Sequence, residues 1–461
     1  MCDPIAASLY INWVIGTLVQ ENPLIDKSPN RRTLGITLYR GHRPRVTYAM
    51  NVLFLHRNFP GQYRHVVKAL NAQGGHQLAA ICSHTGVDMP NVDRRVYQPS
   101  REPNKETHHY VKSFESSVLI GQSVFRQCME LRKTGFRPDV ICAHSGYGLP
   151  FFVHEAFPGA RLMGLFEWFY RARGSDADFL PEEEMDADRA CRIEMRNAAI
   201  LTDLARCDHA IAPTQFQLSQ FPKRFHDHIE VLHEGIDVEY FTPEDEGGFN
   251  IEALDLRGKG PIVTYATRGM EPYRGFPQFM AAAEKLQAER PDVQIVIAGT
   301  DRVAYGRSLP DGQTFRQLAL ETHKNLDHDR LHFVGQLNYR DYRSLLRASD
   351  CHVYLTIPFV LSWSLMEAMS LGCLIVSSDT APVREVMTDN ETGLLVDFFD
   401  VDALTAKILF ALDNAEDLAP LRTKARQIIV ERFPQPKSIR RFLALLNHLA
   451  GIERPASQDQ A

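Results

Sequence analysis

From residue 50 onwards the chain alternates between short apolar runs and longer amphipathic stretches, and this alternation restricts the possible fold more than any other feature. Runs such as 51–56 (NVLFLH) and 139–145 (DVICAHS) are apolar almost throughout, which is typical of strands that are buried on both faces of a sheet. Segments of helical periodicity separate the runs. The pattern therefore predicts parallel sheets that are covered by helices on both sides.

The alternation is interrupted once, by a segment rich in Pro, Gly and acidic residues at 241–260. Before it we expect strands at 51–56, 76–82, 139–145, 161–170, 209–214 and 229–235, with long helices at about 106–133 and 183–206. After it we expect strands at 261–267, 293–299, 331–336, 351–357, 373–379 and 393–398. The sequence thus predicts an α/β fold of two tandem doubly wound domains facing a central cleft. The predicted ranges are an N-terminal domain at 50–240, a linker at 241–260, a C-terminal domain at 261–436, a helix at 437–452 and a disordered tail at 453–461.

The first 49 residues lack this alternation. The apolar run at 5–19 is shorter than a membrane-spanning helix, and no Lys or Arg precedes it as in a signal peptide. We expect residues 1–49 to form a poorly ordered extension, with Met50 as an alternative start. A peripheral membrane contact through this run is the other interpretation.

Composition narrows the range of functions. The formal net charge of −6 argues against general nucleic-acid binding, which usually requires a basic surface. None of the eight cysteines form a C-x-x-C pair, and no cluster has the spacing of a metal site. We therefore expect free thiols in a reducing compartment, hence a cytoplasmic protein, and no metal requirement.

Candidate site residues follow the predicted strands, where ligands of doubly wound sheets bind. Arg268 and Arg274 flank a turn, and two guanidinium groups there suit a diphosphate, although a surface loop is the alternative. Gly61 precedes a helix and either receives a phosphate or sugar oxygen or forms a plain turn. His144 either faces the cleft or belongs to the core, and Gly299 begins a turn of small residues.

A further loop at 171–179 (RARGSDADF) is densely charged, with Arg171, Arg173, Asp176 and Asp178 within eight residues of one another. The simplest interpretation is a solvated loop. The alternative is that these side chains recognise a polar acceptor substrate.

Glu367 is a single carboxylate in the apolar stretch SWSLMEAMS. Ser364 and Glu367 have the S-x-x-E spacing of a capping box, which would give the acid a purely local role. The alternative is that the carboxylate binds a ligand.

Several of these motifs occur in a fixed order: RGMEPYRGF, VQIVIAGTD, LHFVGQLNYRDYRSLLRASDCHVYLT, SLMEAMSLGCLIVSSDTAPVREVM and ETGLLV. As a set they resemble the nucleotide-sugar domain of the family-4 retaining glycosyltransferases (glycosyl transferase group 1), which have the two-Rossmann GT-B fold. NVLFLHRNFPGQYRHV and VLHEGIDVEYFTP resemble the first domain and hinge of that family. The resemblance covers about residues 50–440.

The resemblance implies a role for each matching residue. Arg268 and Arg274 match the pair that holds the donor diphosphate, and Glu367 matches the acid that binds the nucleotide ribose. Residues 362–366, including Ser362, Ser364 and Leu365, match the turn whose amides reach the phosphate and the donor sugar. His144 is similar to a histidine near the reacting sugar.

For the whole protein, the resemblance implies sugar transfer with retention from a UDP- or GDP-sugar to a saccharide or lipid-linked saccharide, as in polysaccharide or glycoconjugate synthesis. No cofactor is expected.

Phe359 departs from the family pattern, because it stands where the first acid of the E-x7-E signature is expected. A non-catalytic nucleotide-sugar binding protein is therefore an alternative. A phosphorylase-like enzyme is disfavoured because residues 325–406 contain no lysine that could hold pyridoxal phosphate.

Overall fold

The computed structural model describes residues 49–182, 184–244, 248–252 and 254–452. The predictions for residues 1–48 and for the tail at 453–461 lie outside the described residues. Within the described ranges, no helix is both long enough and apolar enough to cross a membrane. The chain forms two α/β domains built on parallel sheets, as the alternation predicts.

The first domain contains a parallel sheet whose described strands follow the order β3-β2-β1-β4-β5-β6-β7. These strands are β1 (Asn51–Leu55), β2 (Gln77–Cys82), β3 (Val92–Val96), β4 (Val140–His144), β5 (Arg161–Leu165), β6 (His209–Ala212) and β7 (Ile229–Val231). The helices are α1 (Arg64–Gln73), α2 (Lys112–Lys133), α3 (Val153–Ala156), α4 (Ala187–Arg206) and α5 (Gln215–Gln220). Two clusters of buried side chains cover the opposite faces of the sheet, as expected of a doubly wound domain.

A short antiparallel hairpin, β8 (Asn250–Ile251) and β9 (Leu254–Asp255), precedes the second domain. The second parallel sheet has the order β12-β11-β10-β13-β14-β15. Its strands are β10 (Ile262–Gly269), β11 (Gln294–Thr300), β12 (Leu331–Gly335), β13 (Cys351–Tyr354), β14 (Ile375–Ser378) and β15 (Leu394–Val396). The remaining helices are α6 (Phe276–Glu289), α7 (Phe315–Thr322), α8 (Tyr339–Arg347), α9 (Trp363–Ser370), α10 (Ala381–Arg384), α11 (Val401–Asp413), α12 (Ala419–Arg432) and α13 (Gln435–Leu449).

Several features differ from the sequence-based expectations, and two of them concern the first sheet. Strand β3 (VDRRV) was not predicted, because an edge strand with exposed charged side chains lacks the apolar run of a buried strand. Strand β5 ends at Leu165, five residues before the predicted end at 170, and the aromatic residues that follow it form a loop.

The last helix, α13, returns to the first domain. Its buried residues Phe442, Leu443 and Leu446 join the core that contains Val52 and Phe54 of β1. The chain therefore crosses between the domains twice, the second time just before α13. Beside this second crossing, Ile236 exchanges backbone hydrogen bonds with residues 433 and 435.

The two domains contact each other through loops that follow strands. The backbone N–H groups of Gln215 and Phe216, at the start of α5, donate to the carboxylate of Glu385 in the second domain at 2.8 and 2.7 Å. A carboxylate at a helix N-terminus satisfies donors that have no partner within the helix. Glu385 thus caps a helix of the other domain.

Replacing Glu385 by Ala is expected to leave both amides without this acceptor and to cost about 1 kcal/mol, as for other helix caps. The measurable result is faster amide exchange at Gln215 and Phe216 and a lower melting temperature. Glu391→Ala removes an exposed acid outside the interface and serves as the control. Equal effects of the two substitutions would contradict the capping role.

Candidate active site

Arg274 lies at the carboxyl end of the second sheet and is only 6% exposed. Its guanidinium donates to Thr356 Oγ1 at 2.7 Å, to Tyr354 Oη at 3.2 Å and to the carbonyl of Val360 at 3.1 Å. All three acceptors are neutral, and no carboxylate of a described residue forms an ion pair with Arg274. A buried guanidinium without an anionic partner is unfavourable. This geometry therefore favours the binding of an anion beside Arg274.

The charge of the Glu271 carboxylate acts on Arg274, but its oxygens already accept hydrogen bonds from other residues. Both of its oxygens accept from the backbone N–H groups of Ala304, Tyr305 and Gly306, at 2.7 to 3.1 Å. Glu271 thus holds the loop after β11 in place, and it acts on Arg274 through its charge without accepting a hydrogen bond from the guanidinium.

The N-terminus of α9 meets Arg274 at the hydroxyl of Tyr354. That hydroxyl accepts from the guanidinium and also from the backbone N–H of Ser362, at 3.0 Å. Ser362 is the N-cap of α9, and its Oγ accepts from the N–H of Ser364 at 3.3 Å. Leu365, in the first turn, is fully buried. The positive end of a helix therefore lies next to a buried cation, which strengthens the case for an anion site.

Glu367 does not belong to a capping box. Ser362 caps α9, whereas Ser364 lies within its first turn, so the S-x-x-E interpretation is wrong. Glu367 is buried and accepts a long hydrogen bond, 3.4 Å, from the hydroxyl of Tyr339. Burial raises the pKa of this carboxyl to about 7, while hydrogen bonding to Tyr342 and Tyr339 opposes the shift. Glu367 thus has unused capacity to accept hydrogen bonds from a ligand.

The other predicted donor-site residues are less distinctive. Arg268 is exposed at the end of β10, and its backbone carbonyl accepts from Thr300. Gly299 has φ +143°, and a Cβ there would lie 2.2 Å from the carbonyl oxygen of Thr267. Close packing of β11 against β10 therefore accounts for this glycine without a ligand.

In the first domain, His144 at the end of β4 is part of a hydrogen-bonded chain. Its Nε2–H donates to Glu167 at 2.9 Å, and Gln62 donates to the other oxygen of that carboxylate. The amide oxygen of Gln62 accepts from His56 at 2.7 Å, and the Nδ1 atom of His56 accepts from the N–H of Asn58 at 3.0 Å. The donor and the acceptor of each of these four hydrogen bonds are therefore assigned.

The surroundings of His56, His144 and Glu167 affect their pKa values and their remaining hydrogen-bonding capacity. The rings of His56 and His144 stack at 4.8 Å, and burial together with the neighbouring imidazole lowers the pKa of His56 to about 3. Although burial raises the pKa of Glu167, its contact with His144 lowers the pKa below the usual range. Nδ1 of His144 is buried and has no partner among the described residues. It is available as a hydrogen-bond acceptor.

Gly61 lies directly beneath the ring of His56. It has φ +46°, and a Cβ at this position would lie 2.3 Å from Cε1 of that ring. The glycine is therefore required by packing, which favours the plain-turn interpretation over direct ligand binding.

A Gly61→Ala substitution is expected to displace His56 and to destabilise the protein by at least about 1 kcal/mol more than Gly74→Ala, because overpacking adds to backbone strain. Gly74 also has a positive φ, +71°, but nothing lies within 4 Å of its Cβ position. Denaturant titration of both variants tests this difference. Equal losses would show that the His56 ring yields without cost.

The loop at 171–179 contacts the second domain. Asp176 is buried and accepts from the hydroxyl of Tyr273 at 3.1 Å, so the solvated-loop interpretation is wrong for this residue. A second contact between the domains joins Trp363, whose Nε1–H donates at 3.3 Å, to Glu234, and burial raises the pKa of Glu234 to about 7. Recognition of an acceptor by the loop stays a prediction.

Sequence analysis missed several residues at this site. They are His56, Glu167, Glu234, Glu271, Tyr305, Tyr354 and Thr356. His56 and Glu167 come one and two residues after a strand, and this position was the available signal. Among the described residues there is no group of three or more His, Cys, Asp or Glu side chains that could hold a metal ion.

Known protein families match both domains of this chain. Residues 74–241 match the family model described as glycosyl transferase family 4 group, and residues 249–428 match glycosyl transferases group 1. A mannosyltransferase of Corynebacterium glutamicum, named as GDP-mannose-dependent and acting on monoacylated phosphatidylinositol monomannoside, is 28% identical over 44% of this chain and 52% of its own. Trehalose synthase of Pyrococcus horikoshii is 24% identical over 44% of this chain and 47% of its own.

The chain thus spans about half the length of these curated relatives. Among solved structures, the sucrose-phosphate synthase of Thermosynechococcus elongatus matches with a TM-score of 0.66 and 16% identity over 88% of this chain and all of that one. The HepE protein of Anabaena, in complex with UDP-glucose, matches with a TM-score of 0.64 and 15% identity over 87% of this chain and all of its own. These likenesses establish the fold, and the two family models, which match successive domains, show that the chain belongs to the family-4, group 1 glycosyltransferases of GT-B fold.

Proposed function

We propose that this protein transfers a sugar, with retention of configuration, from a UDP- or GDP-sugar to a saccharide or lipid-linked saccharide. The observation that carries the proposal is Arg274, a buried cation that has only neutral partners beside the N-terminus of α9. A diphosphate supplies the missing negative charge and matches the geometry of a guanidinium. Donors of the named mannosyltransferase and of the HepE complex, GDP-mannose and UDP-glucose, belong to this class.

In the proposed complex the second domain binds the donor. Arg274, the amides of residues 362–365 and the exposed Arg268 bind the diphosphate, and Glu367 accepts hydrogen bonds from the ribose hydroxyls. The guanidinium of Arg274 donates only to neutral acceptors among the described residues, and the one hydrogen bond to Glu367 from Tyr339 is long, 3.4 Å. The charge of the leaving diphosphate is thereby stabilised by fixed donors, which is an effective form of transition-state stabilisation.

The first domain binds the acceptor near His144. During transfer the bond between the sugar C1 and the phosphate oxygen breaks, and a bond from the acceptor oxygen to C1 forms on the same face. The acceptor proton passes to an oxygen of the leaving diphosphate. Nδ1 of His144, held in orientation through Glu167, accepts a hydrogen bond from a sugar hydroxyl and positions the reacting ring.

The test begins with calorimetric titration of UDP and GDP into the full chain. A panel of UDP- and GDP-sugars is then incubated with saccharide and lipid-linked saccharide acceptors, and the release of nucleoside diphosphate is measured. Retention is checked by NMR of the anomeric proton of the product. A nucleotide at a hundred times its Kd should also stabilise the protein by about 2.7 kcal/mol. Absence of binding by both nucleotides would refute the proposal.

Phe359 supports a second candidate, a protein that binds nucleotide sugars without transferring them, because the expected acid is missing. Binding would then occur without release of nucleoside diphosphate with any acceptor. Turnover with one donor and acceptor pair excludes this candidate.

A further inference from the structure

The side chain of Phe359 lies in a group of aromatic rings, here called the aromatic cluster (Trp168, Tyr273, Tyr305 and Phe359). The ring centroids of Trp168, Tyr305 and Tyr273 are 4.8, 5.2 and 5.5 Å from that of Phe359. Trp168 follows β5 of the first domain, whereas the other three residues belong to the second domain. The cluster therefore spans the junction of the two domains.

Arg274 connects this cluster to the proposed phosphate site. Its Cζ lies 5.2 Å from the ring centroid of Tyr305, and its guanidinium donates to the carbonyl of Val360, next to Phe359. A group that is bonded to a phosphate at Arg274 is within reach of the cluster. Under the proposed function this group is the donor sugar.

The cluster presents mostly apolar ring surface, and its own hydrogen-bonding groups are the hydroxyls of Tyr273 and Tyr305 and the Nε1 of Trp168. Two carboxylates contact it, and both already accept hydrogen bonds: Asp176 from Ser175 and Tyr273, and Glu271 from the N–H groups of residues 304–306. Hydroxyl groups of a sugar would lose their hydrogen bonds to water against these rings, which is unfavourable. C–H and methyl groups would gain from the same contact.

Trp168 adds one polar requirement. It is 7% exposed, and its Nε1 has no hydrogen-bond partner among the described residues. A buried donor without an acceptor destabilises the protein. A suitable ligand therefore offers a hydrogen-bond acceptor next to an apolar group.

We propose that the donor is the nucleotide derivative of an N-acetylated amino sugar, whose acetamido methyl group packs on the aromatic cluster and whose carbonyl accepts from Trp168 Nε1. This inference rests on the proposed function and specifies its donor. The acetamido group combines the required acceptor with a methyl group. A hydroxyl in its place has no methyl group to pack on the rings.

Sugar 1-phosphates test this preference independently of the nucleobase. We compare N-acetyl-α-D-glucosamine 1-phosphate with α-D-glucose 1-phosphate, and the corresponding galactose pair, by NMR titration of the full chain. The acetylated member of at least one pair is expected to bind about tenfold more tightly, on the scale of one satisfied hydrogen bond plus a buried methyl group. Equal binding within both pairs, including no detectable binding of any member, overturns the inference.

Two substitutions test which residues cause the preference for the acetylated sugar 1-phosphate. Trp168→Phe keeps a ring but removes the N–H and should reduce the preference several-fold, whereas Phe410→Leu, at an exposed ring outside the cluster, should not. Phe359→Glu supplies an acceptor for hydroxyls and should reverse the preference. If this variant does not fold, the Trp168→Phe comparison still decides. An unchanged preference in Trp168→Phe overturns the assignment of Nε1.

The two proposals fail separately. If neither UDP nor GDP binds, the proposed function fails. If a nucleotide binds and the acetamido preference is absent, only the donor assignment fails.

Discussion

An Arg274→Met variant is expected to bind nucleoside diphosphate roughly ten to a hundred times more weakly than the parent protein. The guanidinium is the buried cation next to the N-terminus of α9, and hydrogen bonds to charged groups contribute about 1.5–3 kcal/mol. Met retains much of the side-chain volume without the charge. Calorimetric titration of UDP and GDP into both proteins measures the difference.

The same variant should bind the nucleoside alone nearly as well as the parent does, because uridine and guanosine lack phosphates. Its melting temperature is expected to change little, since the lost hydrogen bonds are offset by removal of an unpaired buried charge. Arg257→Met is the matched control, because Arg257 forms an exposed ion pair with Asp255 at 2.6 Å. Equal losses for nucleoside and nucleotide would place Arg274 away from the phosphates.

A Glu367→Gln variant is expected to bind the nucleotide tenfold or more weakly at pH 8. A carboxylate accepts hydrogen bonds from both hydroxyls of a ribose, whereas an amide offers one oxygen and no charge. Loss of one charge-assisted hydrogen bond corresponds to about 1.5–3 kcal/mol. Titration of the variant beside the parent tests the ribose contact. Unchanged affinity would show that the acid does not touch the ligand.

The raised pKa of Glu367 adds a pH dependence with a definite sign. Burial raises this pKa from 4.5 to about 7, so the free protein carries a protonated Glu367 below pH 7. Binding of the diol to the carboxylate then requires loss of a proton, and affinity should fall as the pH decreases below 7. This slope should be absent in Glu367→Gln. Titration of the nucleotide phosphate affects both proteins and cancels in their comparison.

Stability should follow the opposite direction. A carboxyl whose pKa is raised by folding contributes stability that is complete below pH 4.5 and is lost as the pH rises through about 7. Glu367→Gln remains uncharged throughout. The variant should therefore be at least as stable as the parent above pH 7, as measured by melting curves. A lower melting temperature there would indicate a structural role for the charge.

Individual elements of the fold show which features could be predicted from the sequence and which could not. The two-domain α/β architecture and the apolar surroundings of Glu367 both followed from the pattern of apolar residues in the sequence. The cap of α9 was assigned to Ser364 rather than Ser362, because spacing alone cannot distinguish which serine has non-helical backbone angles. Strand β3 escaped notice because its side chains are largely charged and partly exposed.

The sequence by itself determined which residues follow each strand, because local hydrophobic patterning defines where strands end. It therefore identified Arg268, Arg274 and His144 as candidates without identifying their neighbours. Only the tertiary structure decided which candidates meet. The strand order β1-β4-β5 brings His56, His144 and Glu167 together, and the pairing of β10 with β13 brings Arg274 to Tyr354 and Thr356. These contacts join residues up to 88 positions apart in the chain, as for His56 and His144. Sheet order, which local patterning does not encode, places them side by side.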